Sequence, residues 1–591
     1  MIIPNESHVK FYELEIIEHL KNWNAFIKQP VYSLIADKKL VVGRILSFDK
    51  STGCFRMRFK KDQVPRQNAQ YFFGIVGPAV LSFGGLSEWT FTYEDFRNSK
   101  PDSLWLERIG GDANTKHCTK VTGDYVFFDL QIPEIMTSRN VRDQITKNGE
   151  AIALLTEPDP PLKYLENLRD FVKNNSENRI CNLNIDYKID DWTPRLVDNT
   201  DSIASEIERW SMAHDLVLIQ GPPGTGKSFN VAEYCHRLLA AGKTVCICSL
   251  ANRALIEIAL QPGLERALEM KKIYKTNLSD FEKVEVPFLQ NFESGIPLPG
   301  TLLLSTFYKL SDITNHLLRD QVRFDVVIVE EASQAFLATI ALFQAVARKI
   351  ILIGDHMQLP PVVLVIKKKS FSRVHPKLAS VVNGMATIAC AFEEQSYRLT
   401  RTRRLMNAAA SLTGNFYDGT LRSVSPLNHE MLGRIKQVGD AFDGNGGSTL
   451  IELPIAHQEY GRNYVMRLVR HLVTGISRSG DFSIAVLVPR VAFEVEFSVN
   501  LVEAGLYGNR IKVSTVHKVQ GITVDYTILY LPLVDSMIEL EEKFFNVATS
   551  RAKRGTLIIT SESLRLLHSI PPRVLKFIGQ CRKVPLHQFN V

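Results

Sequence analysis

Residues 216–228 have the sequence LVLIQGPPGTGKS, in which four apolar residues and a glutamine lead into a glycine-rich segment that ends in lysine and serine. The apolar run predicts a buried strand, and the pattern GxxxxGK[ST] ahead of helical periodicity predicts a phosphate-binding loop. Backbone N–H groups can approach phosphates there because glycines leave room, while the lysine reaches the β and γ oxygens and the serine hydroxyl can hold Mg²⁺. ATP and Mg²⁺ are therefore the expected cofactors. The residues predicted to bind them are Gly221, Gly224, Thr225, Gly226, Lys227 and Ser228.

The composition is that of a folded protein with several domains. The chain has 591 residues, of which 45% are hydrophobic and 23% charged, and its formal net charge of +7 is compatible with a polyanionic partner. Residues 1–10 lack a secretory pattern, and no apolar run approaches the ~18 residues that a membrane span needs, so we expect no membrane partner. The eight cysteines show no CxxC pairs. Cys246 and Cys248 lie in an apolar run, which favours reduced core thiols and a cytoplasmic location.

The order of patterns along the chain predicts an α/β fold with two parallel-sheet domains. From residue 216 onward, short β-rich runs alternate with helical stretches, as in strands joined by crossover helices. We assign residues 201–395 to the first such domain, with an insertion at about 263–300, and residues 396–591 to the second. Residues 1–200 differ, because the runs at 40–48, 54–60 and 71–76 predict a small β-barrel. A helical stalk is predicted at 162–174.

A pair of carboxylates follows another apolar strand. Residues 326–334 have the sequence VVIVEEASQ, which places Glu330 and Glu331 at the strand end. Adjacent carboxylates beside a phosphate-binding loop can divide two tasks, since one completes the magnesium shell and the other orients or deprotonates the attacking water. We assign Glu330 to magnesium and Glu331 to the water.

Residues 354–362 (GDHMQLPPV) resemble the third motif of superfamily 1 helicases, in which GDxxQLPP is distinctive. The branch that contains the nonsense-mediated-decay helicase is the most similar, because its phosphate loop is likewise GPPGTGK and its second motif is DEAxQ-like. The resemblance implies two RecA-like domains that use ATP to move 5′ to 3′ along a single strand and unwind duplexes. It also implies that Gln358 senses the γ-phosphate.

The remaining family motifs fall in the second domain. Residues 399–405 (LTRTRRL) are similar to LTxQYRM, which makes Arg404 a phosphate-contacting arginine. Residues 546–555 (NVATSRAKRG) are similar to NVAxTRA, which makes Arg551 the arginine finger. An arginine on a separate domain couples ATP chemistry to domain closure, because it reaches the γ-phosphate only when the domains meet. Residues 416–421 (FYDGTL) match a further family segment, FYxGxL.

The fifth motif and several departures leave the exact chemistry open. Residues 514–521 (STVHKVQG) resemble the family motif whose threonine and glutamine, here Thr515 and Gln520, lie between the nucleic acid and ATP. The continuation HKVQGITVD resembles recombination-type helicases, which favours DNA over RNA. Glu330 stands where the family usually has aspartate, and residues 201–215 contain no clear match to the adenine-binding glutamine. The preference for ATP over other nucleotides therefore stays open.

Three residues are candidates for contacts with a phosphate backbone: Asn252, which by the resemblance matches the family position that touches a phosphate, and Thr306 and Thr515, which lie at strand ends. Amides and hydroxyls can bond phosphates without specifying sequence. Thr306 could equally be a helix cap. In the barrel, residues 55–60 alternate apolar and basic side chains, so Arg56, Arg58 and Lys60 share one face, which we interpret as a solvated surface rather than a nucleic-acid contact. Lys367–Lys369 favours an exposed loop.

The favoured function is an ATP-dependent helicase or translocase on single-stranded DNA or RNA. Two alternatives stay open. A degenerate helicase could clamp nucleic acid or a partner without turnover, as Glu330 and the missing adenine glutamine suggest. A P-loop switch with no strand partner is the other, although GDHMQLPP and the second-domain arginines argue against it. No nuclease motif is evident in these residues, and a protein partner such as a nuclease stays open.

Overall fold

The computed structural model describes most of the chain. The described residues are 5–49, 54–66, 70–76, 89–98, 111–131, 151–183, 192–293, 298–365, 378–427, 438, 441–454, 461–506, 508, 510–519, 521–532, 541–562, 570–586 and 589. Two predictions fall outside them, namely the exposed loop at 367–369 and the nucleotide contact of Gln520. None of the described helices is both long enough and apolar enough to cross a membrane.

The N-terminal region contains a closed six-stranded antiparallel barrel in the order β1-β2-β5-β4-β3-β6. Its strands are β1 (Leu40–Asp49), β2 (Cys54–Lys60), β3 (Gln70–Val76), β4 (Gly111–Thr122), β5 (Tyr125–Gln131) and β6 (Ala151–Thr156). On β2 the apolar residues Phe55, Met57 and Phe59 are fully buried, as the alternation of the sequence predicts. The basic face is engaged within the barrel wall, because Arg56 pairs with Asp129 at 2.9 Å. Arg58 lies 4.6 Å from the centre of the Tyr125 ring.

Four helices lie in the N-terminal region outside the barrel strands. They are α1 (Asn5–Ile27), α2 (Val31–Ala36), α3 (Tyr93–Asn98) and α4 (Leu162–Asn174). The α4 bounds are those predicted for the stalk. Sequence analysis did not identify α1, which packs with α4 against one face of the first parallel sheet through Phe11, Tyr12 and Leu168.

The first parallel sheet has nine strands in the order β11-β10-β12-β9-β13-β14-β8-β15-β7. Its strands are β7 (Arg195–Val197), β8 (Leu216–Gln220), β9 (Val245–Ser249), β10 (Ile273–Thr276), β11 (Gln290–Phe292), β12 (Leu302–Thr306), β13 (Phe324–Glu330), β14 (Ala347–Gly354) and β15 (Ser396–Leu399). Every residue of β8, β9 and β12 is buried, since helices cover both faces of the sheet. The covering helices are α5 (Ala204–Ala213), α6 (Lys227–Ala240), α7 (Asn252–Ala259), α8 (Glu265–Glu269), α9 (Asp280–Glu285), α10 (Phe307–Arg319), α11 (Leu337–Ala345), α12 (Leu378–Val382) and α13 (Gly384–Ala391). We call this unit the first lobe.

The second parallel sheet has six strands in the order β20-β19-β21-β22-β18-β23. After a two-stranded sheet of β16 (Arg401–Thr402) and β17 (Arg422–Ser423), its strands are β18 (Ser448–Leu453), β19 (Ile484–Val488), β20 (Ile511–Thr515), β21 (Val524–Leu531), β22 (Ala552–Ser561) and β23 (Arg582–Lys583). Its helices are α14 (Asn407–Gly414), α15 (Gly461–Ser479), α16 (Val491–Glu503), α17 (Glu542–Thr549) and α18 (Pro572–Gln580). We call this unit the second lobe. The two predicted parallel-sheet domains are thus present.

The structure corrects the predicted segment boundaries. β7 precedes the predicted boundary at 200/201 and β15 follows the one at 395/396, yet both strands belong to the first sheet beside β8. The segment at 263–300 was predicted as an insertion, but β10 and β11 extend the edge of the same sheet. The sequence hid β10 because it is short and carries a buried polar residue, Lys275, whose ammonium group lies 3.1 Å from Glu282.

Candidate active site between the two lobes

The phosphate-binding loop lies where the sequence predicts it, between β8 and α6. Gly224 and Gly226 have φ angles of +75° and +79°, a backbone conformation that favours glycine. The stem of Lys227 lies directly over Gly221, because a Cβ added at Gly221 would be 2.4 Å from Lys227 Cγ. The Lys227 ammonium donates a 2.8 Å hydrogen bond to the Gly221 carbonyl oxygen. The lysine is therefore folded over the loop, as a phosphate-binding lysine must be.

Ser228 and Glu330 form the part of the site that suits a magnesium ion. The Ser228 hydroxyl donates to Glu330 Oε1 over 3.1 Å, joining the start of α6 to the end of β13. Glu330 is only 3% exposed, and its Oε2 has no hydrogen-bond partner among the described residues. Burial and the neighbouring Glu331 raise the pKa of Glu330 to about 7. A buried carboxylate oxygen beside a hydroxyl fits the oxygen ligands that Mg²⁺ prefers.

Glu331 has an unusual backbone conformation. Its φ and ψ angles are 55° and 39°, in the left-handed region that non-glycine residues rarely adopt. Such strain costs on the order of 1–3 kcal/mol and persists where the surroundings enforce it, often at active sites. The conformation turns the chain sharply after Glu330, so the two adjacent carboxylates occupy different surroundings. Glu331 interacts electrostatically with Arg404 and Arg551, which both follow the first sheet in the chain.

The two predicted arginines approach the same place from the far side of the cleft. The Arg404 guanidinium donates a 3.3 Å hydrogen bond to the Ser550 carbonyl oxygen, next to Arg551 in the chain. Burial and the positive charge of Arg551 lower the pKa of Arg404 to about 9. Arg551 is 2% exposed, and burial lowers its pKa while Glu331 opposes that change. Two arginines crowded beside a carboxylate form a site that a triphosphate would neutralise.

The segment that carries Arg404 is attached directly to the phosphate-binding loop. The Arg403 N–H donates to the Gly224 carbonyl oxygen over 2.8 Å, and the Thr402 hydroxyl donates to the Pro223 carbonyl oxygen over 2.8 Å. A Cβ at Gly224 would lie 2.3 Å from Arg404 Cβ, so glycine is required for this packing. A change in the loop therefore reaches Arg404 through backbone contacts.

Asn199 is a second connection that sequence analysis missed. This fully buried residue donates to the carbonyl oxygens of Thr225 and Arg401 and accepts from the N–H groups of Thr400 and Arg401. Its amide thus uses both donors and its acceptor to hold the loop against residues 400–401. A lone asparagine before the loop gives no sequence signal for this role.

A buried hydrogen-bond network joins residues 354–362 to the second lobe. Asp355 accepts from the side chains of Gln220, Gln358 and Tyr417 over 3.1, 3.1 and 2.5 Å. Asn546 donates to the Tyr417 hydroxyl over 2.8 Å and to the Met357 carbonyl oxygen over 2.9 Å. Gln358, predicted to sense the γ-phosphate, here contacts Asp355. Each of these residues lies in or next to a motif identified in the sequence. The sequence did not show which of them contact each other.

The candidate nucleic-acid residues have different surroundings. Thr306 is the N-cap of α10, where its hydroxyl accepts from the Lys309 N–H over 3.3 Å, so the helix-cap interpretation holds in this structure. Thr515 is 5% exposed at the end of β20. Asn252 is exposed at the first residue of α7. Their contact with phosphates stays a prediction.

Comparisons with known proteins agree with these motifs. The AAA domain family matches residues 205–364. The DNA polymerase alpha-associated DNA helicase A of Schizosaccharomyces pombe is 24% identical over 421 residues, which cover 58% of this chain and 61% of that protein. The DNA replication ATP-dependent helicase/nuclease DNA2 of Bos taurus is 32% identical over 165 residues, 26% of this chain and 15% of that protein. The chain thus spans under two thirds of the length of these relatives.

Two arterivirus helicase structures are also similar to the chain. One, of nonstructural protein 10 with DNA, gives a TM-score of 0.33 at 14% identity and covers 61% of this chain and 63% of that one. The other, of nonstructural protein 10 alone, gives 0.35 at 12% identity and covers 89% and 77%. The relatives do not single out the nonsense-mediated-decay branch suggested by the sequence. The family motifs stand in order along two parallel-sheet lobes and the curated relatives are helicases, so the chain is similar to superfamily 1 helicases.

Proposed function

We propose that this chain is an ATP-dependent helicase or translocase that acts on single-stranded nucleic acid. One observation carries the proposal. Arg404 and Arg551, which follow the first sheet in the chain, interact electrostatically with Glu331. Glu331 comes directly after Glu330, the first-lobe carboxylate that suits Mg²⁺. A triphosphate bound to Lys227 would thus meet arginines from the other side of the cleft, as an ATP-driven closing motor requires.

The residues present divide the proposed reaction among them. Lys227 and the loop N–H groups would hold the β- and γ-phosphates, and Ser228 with Glu330 would hold Mg²⁺, which supplies charge neutralisation at the phosphate oxygens. Glu331 would orient the attacking water. Arg404 and Arg551 would stabilise the charge that develops on the γ-phosphoryl group. Because Arg551 belongs to the second lobe and Arg404 links Ser550 of that lobe to the phosphate-binding loop, hydrolysis and release would change the lobe separation.

DNA is the proposed strand, with movement from 5′ to 3′. Relatives whose names describe DNA helicases support the choice of DNA, and the resemblance of the motifs to the 5′-to-3′ branch of superfamily 1 supports the direction. A protein partner such as a nuclease, and a cytoplasmic location, are part of the same proposal.

Hydrolysis measured in parallel with single-stranded DNA, single-stranded RNA and no strand tests the proposal. We expect strand-stimulated phosphate release that is greater with DNA, followed by unwinding of duplexes with a 5′ tail but not of those with a 3′ tail. Equal hydrolysis with and without strands would contradict the motor function. Unwinding from 3′ tails would contradict only the direction.

A second candidate, an ATP-regulated clamp, is favoured by one observation. Glu330 stands at the magnesium position, where its side chain is one methylene longer than that of the aspartate usual in the family, and one of its carboxylate oxygens is buried without a partner among the described residues. A clamp binds strands in an ATP-dependent way yet releases no phosphate. The same phosphate-release assay therefore separates the two candidates.

A further inference from the structure

A basic groove of about 600 Å³ lies on the second lobe, apart from every residue assigned above. One wall is α15, which supplies Arg467, Arg470 and Arg478. The other side is formed by Ala504 and Leu506, just after the end of α16. The groove is open to solvent and is large enough for several linked phosphate-sized groups.

The charged residues of α15 are all positive, and those of the groove lie on one side of the helix. The helix contains four arginines and no aspartate or glutamate. Its buried face includes Leu468, Leu472 and Ile476, which pack on the sheet. The arginines of the groove recur at helical spacing on another face. A merely solvated helix face usually interleaves both signs of charge, and this one does not.

The charges of the groove arginines are not neutralised by the part of the chain that the structure describes. Among the residues that the structure describes, no carboxylate lies within ion-pair distance of Arg467, Arg470 or Arg478. By contrast, Arg462 at the start of the same helix pairs with Glu496 at 3.0 Å. Like charges at neighbouring helical positions repel each other, so an anion bound in the groove would relieve that repulsion.

The groove lies on the opposite face of the second sheet from the ATP cleft. One face of the sheet, with Leu487 and Leu529, packs with Met357 and Leu359 of the first lobe. Helix α15 covers the other face, where it packs on Val486 among others. An anion in this groove is therefore separate from both the nucleotide and a strand held between the lobes.

We propose that this groove binds the phosphodiester backbone of nucleic acid outside the cleft. Arginine forks suit phosphate oxygens, and the hydroxyls of Thr474 and Ser477, also in the groove, can add hydrogen bonds. From Arg467 to Arg478 the helix rises about 16 Å, a length that fits a run of successive phosphates. The apolar lining consists of Ala504 and Leu506, without the aromatic anchor typical of protein partners. The choice of nucleic acid as the polyanion rests on the proposed function.

The test compares binding of short and long single strands by the full chain. The variant R467Q/R470Q/R478Q removes the groove charge. The control R319Q/R348Q/R462Q removes three other arginines, whose side chains are 70%, 73% and 53% exposed. Fluorescence anisotropy would use oligonucleotides of about 10 and about 40 nucleotides at several salt concentrations, because short strands can fill only the cleft.

For the groove variant we expect about tenfold weaker binding of the long strand and unchanged binding of the short one. The slope of log affinity against log salt for the long strand should fall by about 2, since each phosphate contact contributes about 0.7. Binding equal to that of the control at both lengths would overturn the inference. So would selective loss of polyglutamate binding, which would assign the groove to an acidic protein segment. ATP hydrolysis with the short strand reports on the proposed function separately.

Discussion

The Tyr417 hydroxyl of the second lobe donates a hydrogen bond to Asp355 of the first lobe over 2.5 Å, in a site where both residues are buried. Burial and the Asp355 carboxylate raise the pKa of Tyr417 well above its usual range, so the tyrosine stays a donor. Both residues also lie in the electrostatic surroundings of Arg551. The contact therefore ties the strand end that carries Gln358 to the lobe that carries the arginine finger.

Replacing Tyr417 by phenylalanine should weaken this connection without leaving a cavity. We expect the variant to lose about 1–2 kcal/mol of stability, because Asp355 keeps its burial but loses a donor. Strand-stimulated ATP hydrolysis should fall several-fold more than hydrolysis without strand. Urea unfolding and phosphate release measure the two effects. The exposed Tyr32→Phe is the control, and an unchanged stimulation ratio in Tyr417→Phe would show that the contact is structural only.

Lys227→Ala removes the ammonium group that lies over the phosphate-binding loop. We expect hydrolysis to be abolished and nucleotide binding to weaken about tenfold or more, since a charged hydrogen bond is worth about 1.5–3 kcal/mol. Titration with a fluorescent ATP analogue measures binding. Lys243→Ala, which lies just before β9 and is paired with Asp325 at 3.6 Å, should behave as wild type. Hydrolysis surviving in Lys227→Ala would place the active site elsewhere.

Glu331→Gln should separate binding from chemistry. The amide keeps the size of the side chain but cannot accept the proton of the attacking water, so hydrolysis should fall about 10²- to 10⁴-fold while ATP and strands still bind. Single-turnover phosphate release gives the rate, and anisotropy gives the affinities. The matched control is the exposed Glu265→Gln on α8. A variant that turns over at nearly the wild-type rate would leave the water without its assigned base.

Arg551→Lys tests the finger while keeping a positive charge. The lysine lacks the planar fork that reaches both the γ-phosphate and its neighbours, so we expect hydrolysis to fall about 10³-fold with nucleotide binding little changed. Arg554→Lys, three residues along and paired with Asp525 at 3.2 Å, is the control. Near-normal turnover by Arg551→Lys would exclude a bidentate role, and circular dichroism checks that both variants fold.

His8 on α1 predicts a pH dependence of stability. Burial lowers the pKa of His8 to about 3 from an ordinary value of 6.5. The unfolded chain therefore binds the proton more readily, and the contribution of His8 is present above pH 6.5 and lost as pH falls toward 3. Between pH 7 and pH 5 the loss amounts to about 2 kcal/mol. His8→Leu should remove this part of the pH dependence in urea unfolding, whereas exposed His236→Leu should keep it. Parallel slopes for wild type and His8→Leu would contradict the prediction.

The sequence predicted central strands well because their apolar runs end where the strands end. The run at 216–220 is β8 to the residue, and Glu330, predicted to lie at a strand end, is the last residue of β13. Strands away from the centre of the sheet were harder, since β10 buries Lys275 and so breaks the apolar pattern. The long helix α1 was also missed. Its buried face includes His8 and Glu15 among apolar residues, which obscures the periodicity.

Motif residues of the site were predictable because phosphate chemistry restricts both residue type and spacing. Lys227, Ser228 and Glu330 come together as predicted. The residues that hold the site in shape were not predictable. Asn199 and Thr400 lie 201 positions apart, and Tyr417 lies 62 positions from Asp355, so only the folded chain shows that they meet.

Helix α1 attaches the barrel to the first lobe, whereas the barrel itself makes a smaller contact with the second lobe. The first half of α1 inserts Phe11 and Tyr12 into the core of the first lobe, and its second half packs Trp23 and Phe26 edge-on against Tyr93 on the barrel side. The barrel meets the second lobe through Val502 in its core. If the lobes swing with each turnover, the barrel travels with the first one, and its seam with α16 is where the sliding must occur.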